Sequence, residues 1–143
     1  MAMRLLKTVP LFLLCAVLCA GQAQLPDTPA AHQFSAWLET FNRGDREALR
    51  AFMQKNYPSG LERLDRDMDF RGMTGGFDFK KVEQSSPNKL VALVQERGSD
   101  QMARLTLEVE PAEAHHITSV ELRAIPRPAE FALPHLSQSE LIS

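Results

Sequence analysis

Cysteine is nearly absent from this sequence: of 143 residues only Cys15 and Cys19 are cysteines, and both lie in an apolar run near the N-terminus. No residue after position 19 can therefore form a disulfide, a thiolate metal ligand or a cysteine nucleophile. Neither G-x-G-x-x-G nor a phosphate-binding loop with its lysine occurs. The chain beyond the apolar run therefore has no cysteine-based chemistry, and it has neither of these nucleotide-binding motifs.

The N-terminal residues have the three parts of a secretory signal. Arg4 and Lys7 give a basic start without acids, and an apolar run covers 9–20. This run is about half of the roughly 20 apolar residues that a stable membrane anchor needs. Small residues, Gly21 and Ala23, then stand where a signal peptidase requires them. We predict a signal peptide over 1–23 and export to the periplasm or the extracellular space; an uncleaved anchor or a buried helix is the alternative.

The charges after the leader are balanced and interspersed. Removal of the leader leaves 14 basic and 18 acidic residues, a net charge of about −4. Nucleic acid binding needs a basic patch or stripe, and the sequence has none. It also has no polybasic or strongly amphipathic segment that would hold a membrane surface after cleavage. We therefore expect neither nucleic acid nor membrane as a partner.

Helical spacing of apolar residues begins after a short lead-in, residues 24–29. One apolar stripe at i, i+3, i+4 and i+7 consists of Phe34, Trp37, Leu38 and Phe41. Gly44 is predicted to end this helix, and Asp45 to cap a second one that ends at Tyr57-Pro58. A third, weaker helix is predicted over Leu61 to Asp69.

After the paired glycines Gly75 and Gly76, the spacing of apolar residues changes from a helical to a strand period. The glycines themselves are interpreted as a tight bend in preference to a ligand contact. Apolar residues then predict strands near 77–82, 90–96, 103–109 and 116–125; the second is apolar enough to be central. Helices followed by hairpin-connected strands predict an α+β domain over 30–125, with helices on one face of an antiparallel sheet of about four strands. Residues 126–143, which contain three prolines, are predicted to be a linker and the start of a helix.

Two short patterns suggest catalysis or metal binding, and each has a simpler structural interpretation. Ser86 and Lys89 match the S-x-x-K pattern of serine hydrolases, but they lie in a predicted hairpin turn and not at a helix start. His115 and His116 are neighbours, and neighbouring side chains of a strand point to opposite faces, so a single metal ion would not readily bind both. A polar turn is therefore the favoured interpretation. We expect no metal and no cofactor.

The acidic residues Asp65, Asp67 and Asp69 alternate as in the opening of a calcium loop. Phe70 stands where that loop needs glycine, and Gly76 where it needs glutamate. A solvated helix face with local ion pairs is therefore the favoured interpretation, and a pocket lining is the alternative.

The segment from Phe41 to Leu49, with the pattern F-N-x-G-D-x-x-A-L, resembles the opening helix pair of the NTF2-like (SnoaL-like) superfamily. The resemblance implies a curved antiparallel sheet that forms a cone. Residues 74–77, the strand pair up to Glu110 and residues 122–128 are similar to a narrower group, in which such a domain precedes a β-lactamase-like or S41-type hydrolase in exported bacterial proteins. Enzymes of the superfamily carry an Asp/His or Asp/Tyr constellation inside the cone, whereas this chain has one tyrosine, Tyr57.

The sequence therefore predicts an exported, non-catalytic accessory domain that binds a protein partner or supports a hydrolase domain, with a homodimer through the sheet as a further expectation. The alternative is a small-molecule-binding cone. Its first polar candidates are Asp67, Arg71, Arg104 and Glu121. A third hypothesis is a cone-fold enzyme with Asp65 or Asp67 as its base.

Overall fold

A computed structural model describes residues 24–132 of the chain. The predicted signal peptide, residues 1–23, and the predicted helix start near Ser137 lie outside the described residues. The helices are α1 (Pro29–Arg43), α2 (Arg46–Asn56) and α3 (Leu64–Thr74), with a 3-10 helix, η1, at Pro58–Arg63 before α3. The strands are β1 (Phe77–Ser86), β2 (Lys89–Glu96), β3 (Met102–Val109) and β4 (Ile117–Ile125), and a 3-10 turn follows at Ala129–Phe131.

The four strands form one antiparallel sheet in the order β1-β2-β3-β4, and the helices precede the sheet. The predicted α+β class is therefore confirmed. Among the described residues, no helix has both the length and the apolar character that crossing a membrane would require.

The ends of the first two helices lie where the sequence predicts them. Gly44 has φ 68°, a left-handed conformation that glycine adopts without steric cost, and it ends α1. The Asp45 side chain accepts a hydrogen bond of 3.0 Å from the Ala48 amide and so caps α2. Tyr57 and Pro58 end α2, because proline disfavours helical backbone in the residue before it.

The third helix differs from its prediction over Leu61 to Asp69. The stretch after Pro58 first forms η1, and the α-helix then continues to Thr74, five residues beyond the predicted end. Gly72 lies within α3, and the chain leaves the helix only at Gly75, which has φ 73°. A single glycine inside a helix costs only about 1 kcal/mol, whereas a left-handed residue is a common helix end.

The sheet confirms the central position of β2 and the alternation along β3. In β1, a bulge between Phe79 and Lys81 shifts the phase of the strand. Phe79 and Val82 both pack against the core because of this extra residue, although their spacing in a regular strand would put them on opposite faces.

The core lies between α1 and the inner face of the sheet, which is the face turned towards the helices. Phe34, Phe41 and Phe77 are each 2 % exposed or less. The ring of Phe41 stacks on those of Trp37 and Phe77, with centroids 5.0 and 5.8 Å away. From the sheet, Leu90, Leu105 and Leu107 complete this core and are fully buried.

The chain after β4 crosses the outer face of the sheet, which is turned away from the helices. Arg127 donates a hydrogen bond of 3.0 Å to the Asp100 carbonyl in the β2–β3 turn. Farther along, Glu130 accepts a bond of 2.5 Å from Lys81 in β1, at the opposite edge of the sheet. Leu93 and Met102 on this face are 2 % and 1 % exposed. The described part of the predicted linker, 126–132, therefore lies along the sheet.

Candidate functional site

A cavity of about 220 Å³ opens between the helices and the inner face of β4. Side chains of α1, η1 and α3 line one side of the cavity. The other side is lined by alternate residues of β4, because every second side chain of a strand points to the same face. Five of the seven lining side chains are apolar, and the two charged ones come from η1 and α3. The lining residues are Trp37, Phe41, Arg63, Asp67, Phe70, Val120 and Leu122.

Arg63 is held at the cavity by Tyr57. Its Nη2 donates a hydrogen bond of 2.5 Å to the Tyr57 hydroxyl, and the guanidinium carbon lies 5.4 Å from the centroid of the Tyr57 ring. A cation at this distance from an aromatic ring is attracted by the ring quadrupole. The Arg63 Nε is buried and has no hydrogen-bond partner within residues 24–132. A buried donor without a partner is costly, so an acceptor that reached this N–H would stabilise the site.

Asp67 lies one helical turn after Arg63. Burial raises the pKa of the Asp67 carboxyl, and the positive charges of Arg63 and Arg66 partly oppose this effect. In the folded protein the carboxyl therefore takes up a proton at a higher pH than a solvated aspartate does. When protonated, it donates a hydrogen bond to a bound molecule. Arg63 and the protonated Asp67 would thus both donate to an acceptor-bearing group in the cavity.

The structure does not bring the four predicted site residues together. Asp67 lines the cavity, but Arg71 does not, because its Nε and Nη2 donate to the Asn42 carbonyl at 3.1 and 2.7 Å. Arg71 thus fastens α3 to the end of α1. Arg104 and Glu121 line a separate groove of about 200 Å³ on the outer face. Their role in ligand binding stays a prediction.

Strand alternation explains the position of Arg104 and Glu121. Leu105 pairs with Leu122 on the inner face, so their chain neighbours point outwards. Arg104 donates to Glu83 at 2.7 Å, and this hydrogen bond lowers the pKa of the Glu83 carboxyl. These charges form ion pairs across the outer face and do not converge with Asp67.

The other patterns singled out in the sequence occupy structural positions. Ser86 and Lys89 face each other across the β1–β2 hairpin, and the lysine ammonium lies 3.5 Å from Glu108. His116 Nδ1 lies 3.1 Å from a Glu110 carboxylate oxygen. Within residues 24–132, no group of three or more His, Cys, Asp and Glu side chains is placed to hold a metal ion.

The Asp65 carboxylate forms an ion pair with Arg46 of α2. The contact is exposed, as on the predicted solvated helix face, but it joins two helices and is not local to α3. It also places Asp65 in a contact between α2 and α3, whereas Asp67 lines the cavity.

Sequence reasoning missed Arg63 as a site residue. A signal exists, because Arg63 and Asp67 are four residues apart and side chains at that spacing meet on one helix face. Burial and the cavity depend on β4, which lies more than 50 residues further along the chain. Comparison of the chain with models of protein families, with curated proteins and with solved structures found no match.

Proposed function

We propose that this chain is an exported, non-catalytic accessory domain that binds a protein partner or supports a hydrolase. One observation carries this proposal: the space between the helices and the sheet is filled by the domain's own side chains. Phe77, Leu105 and Leu107 are each at most 1 % exposed. Phe34 and Phe79 meet edge to face, with ring centroids 5.6 Å apart.

The volume that remains is small for a dedicated ligand site. Pockets for small molecules usually measure about 300–1,000 Å³. The cavity beside Arg63 measures about 220 Å³. A filled interior stabilises the domain and leaves its outer surface for recognition. The predicted leader at 1–23 and the resemblance of residues 74–77 and 122–128 to hydrolase-associated domains support export and association with a hydrolase.

Assays for hydrolysis test the non-catalytic proposal. Protein purified after expression of the whole chain is incubated with a chromogenic β-lactam, p-nitrophenyl acetate and fluorescently labelled casein. We expect rates equal to those of a mock preparation from cells with an empty vector. A rate above the mock that co-purifies with the protein would overturn the proposal. Loss of that rate in the Asp67→Asn variant, but not in Asp65→Asn, would then identify the cone-fold enzyme with Asp67 as its base.

A second candidate function is the binding of a small molecule in the Arg63 cavity, and the buried, unpartnered Nε of Arg63 favours it. Trp37, Phe41 and Phe70 would pack against an apolar body, while Arg63 would donate to an acceptor group. An aromatic carboxylate has this combination of groups. Binding would strengthen at lower pH, because protonation of Asp67 removes a negative charge and provides a donor.

Thermal unfolding in the presence of benzoate tests this second candidate. A ligand at ten times its dissociation constant stabilises a protein by about 1.4 kcal/mol, so we expect Tm to rise by several degrees, and more at pH 5 than at pH 8. Arg63→Met should abolish the rise. Arg43→Met makes the same change at an exposed position of α1 outside the cavity, and should preserve it. An unchanged Tm, or an equal rise in both variants, would count against this site.

A further inference from the structure

The outer edge of β4 has no strand beside it. Within residues 24–132, β4 pairs with β3 on one side and is the last strand of the sheet. An edge strand presents a row of unpaired N–H and C=O groups, which is a template for pairing with another chain. The edge of β4 is therefore a candidate interaction surface.

The two edges of the sheet differ in how well they are protected against such pairing. At one edge, β1 has irregularities between Phe79 and Lys81 and between Val82 and Gln84. Bulges of this kind twist an edge and interrupt its row of hydrogen-bonding groups. At the other edge, β4 pairs with β3 without a register shift from Ser119 to Ile125, and this stretch contains no proline. The β4 edge is thus the regular one.

The charges on β4 are complementary to those of a second, antiparallel copy of the same strand. The regular stretch Ser119–Ile125 is centred on Leu122, with Glu121 on one side and Arg123 on the other. Antiparallel pairing about Leu122 places Glu121 of each copy opposite Arg123 of the other. Opposite charges directly across a strand pair are stabilising. Pairing ends at Pro126, because proline has no N–H to donate.

Arg104 and Arg123 carry the same charge at paired positions of the sheet. Arg123 lies directly opposite Arg104 in β3. Like charges in this position repel each other. Both arginines have an acidic partner within the chain: Glu83 accepts from Arg104 Nε at 2.7 Å, and Glu121 accepts from Arg123 Nη2 at 2.9 Å. The side chains of Glu121 and Arg123 remain 62 % and 75 % exposed, so both can meet a partner strand.

The outer face of the sheet is less suited to dimerisation than the edge. It carries ion pairs between Glu83 and Arg104 and between Glu121 and Arg123, and the segment 126–132 crosses it. Packing two such faces together would desolvate these charges, which is costly. Edge pairing leaves them exposed to water.

We propose that two copies of this chain pair through their β4 strands, antiparallel and centred on Leu122, to form one continuous sheet. The partner is a second copy and not an unrelated peptide, because the charges around Leu122 are complementary to themselves, as the two sides of a two-fold symmetric interface must be. Dimerisation of this kind is independent of the accessory function proposed above, since a monomeric accessory domain is equally free of catalysis.

Sedimentation of the protein expressed from the whole chain, over a dilution series, tests the dimer by charge exchange. We expect the natural protein to dimerise, and Glu121→Arg and Arg123→Glu each to raise the dissociation constant roughly tenfold or more, because each places like charges opposite each other. The double variant Glu121→Arg/Arg123→Glu restores both pairs and should restore the dimer. Glu39→Arg, an exposed reversal on α1, should leave association unchanged.

Three results would overturn the β4 dimer. The first is a natural protein that stays monomeric at the highest concentration. The second is dimerisation that persists in both single variants, since it would have to use another surface. The third is a double variant that unfolds cooperatively, as the natural protein does, yet stays monomeric. Circular dichroism of every variant separates loss of pairing from loss of the fold.

Discussion

Replacing Phe41 by alanine is expected to lower the free energy of unfolding by about 3–5 kcal/mol, the usual cost of deleting a buried aromatic ring. Phe41 is 2 % exposed, and its ring joins three elements of the fold. It stacks on Trp37 of α1 and on Phe77 of β1, at 5.0 and 5.8 Å, and lies 6.2 Å from Phe70 of α3. Its removal would leave a cavity that these neighbours cannot all move to fill.

Urea unfolding followed by circular dichroism measures this loss, with an unchanged denaturant slope indicating that only stability has altered. Leu38→Ala is the matched control, because Leu38 lies on the same helix but is only partly buried. We expect it to cost less than half as much as Phe41→Ala. If Phe41→Ala cost no more than Leu38→Ala, the central place of the Phe41 ring in the core would be wrong.

Gly76→Ala is expected to lower the free energy of unfolding by about 2–4 kcal/mol through backbone strain and lost hydrogen bonds. Gly76 has φ 92°, a conformation that residues with a Cβ rarely adopt. A Cβ there would also lie 2.6 Å from Oδ1 of Asn42. The Asn42 amide group holds the start of β1: Oδ1 accepts from the Phe77 N–H, and Nδ2 donates to the Phe77 carbonyl, both at 2.8 Å.

The glycine at position 72 provides a control of opposite sign. A Cβ at Gly72 would have nothing within 4 Å, and the residue lies inside α3. Gly72→Ala should therefore stabilise the protein by about 0.5–1 kcal/mol, since alanine favours the helix.

In an Asn42→Ala background, Gly76→Ala should cost less, because the contact with Asn42 is already gone. Equal costs in both backgrounds would indicate backbone strain alone.

Some features of the fold can be predicted from the sequence because their causes are local. Gly44 and Asp45 end one helix and begin the next through contacts within four residues. The alternation along β3 identifies its buried face directly, since successive side chains of any strand point to opposite sides. The end of α3 was harder to predict: Gly75, and not the weak apolar pattern around Asp69, ends that helix.

The candidate site depends on contacts that no local pattern contains. Asp67 was predicted as a site residue from the sequence alone. The cavity that it shares with Arg63, Val120 and Leu122 forms only where β4 packs against the helices. Arg71 was predicted as a site residue together with Asp67, yet it binds the carbonyl of Asn42 in α1.

The sequence by itself determined an α+β domain with three helices before four antiparallel strands, since capping residues and apolar periodicity act over a few residues. Only the tertiary structure decided that Arg63 and Asp67 meet Val120 and Leu122 around one cavity, because the docking of the helices on β4 brings these distant residues together. It also decided that residues 126–132 cross the sheet, through contacts that span up to 49 residues. Such contacts depend on the packing of distant segments, and local propensity does not encode them.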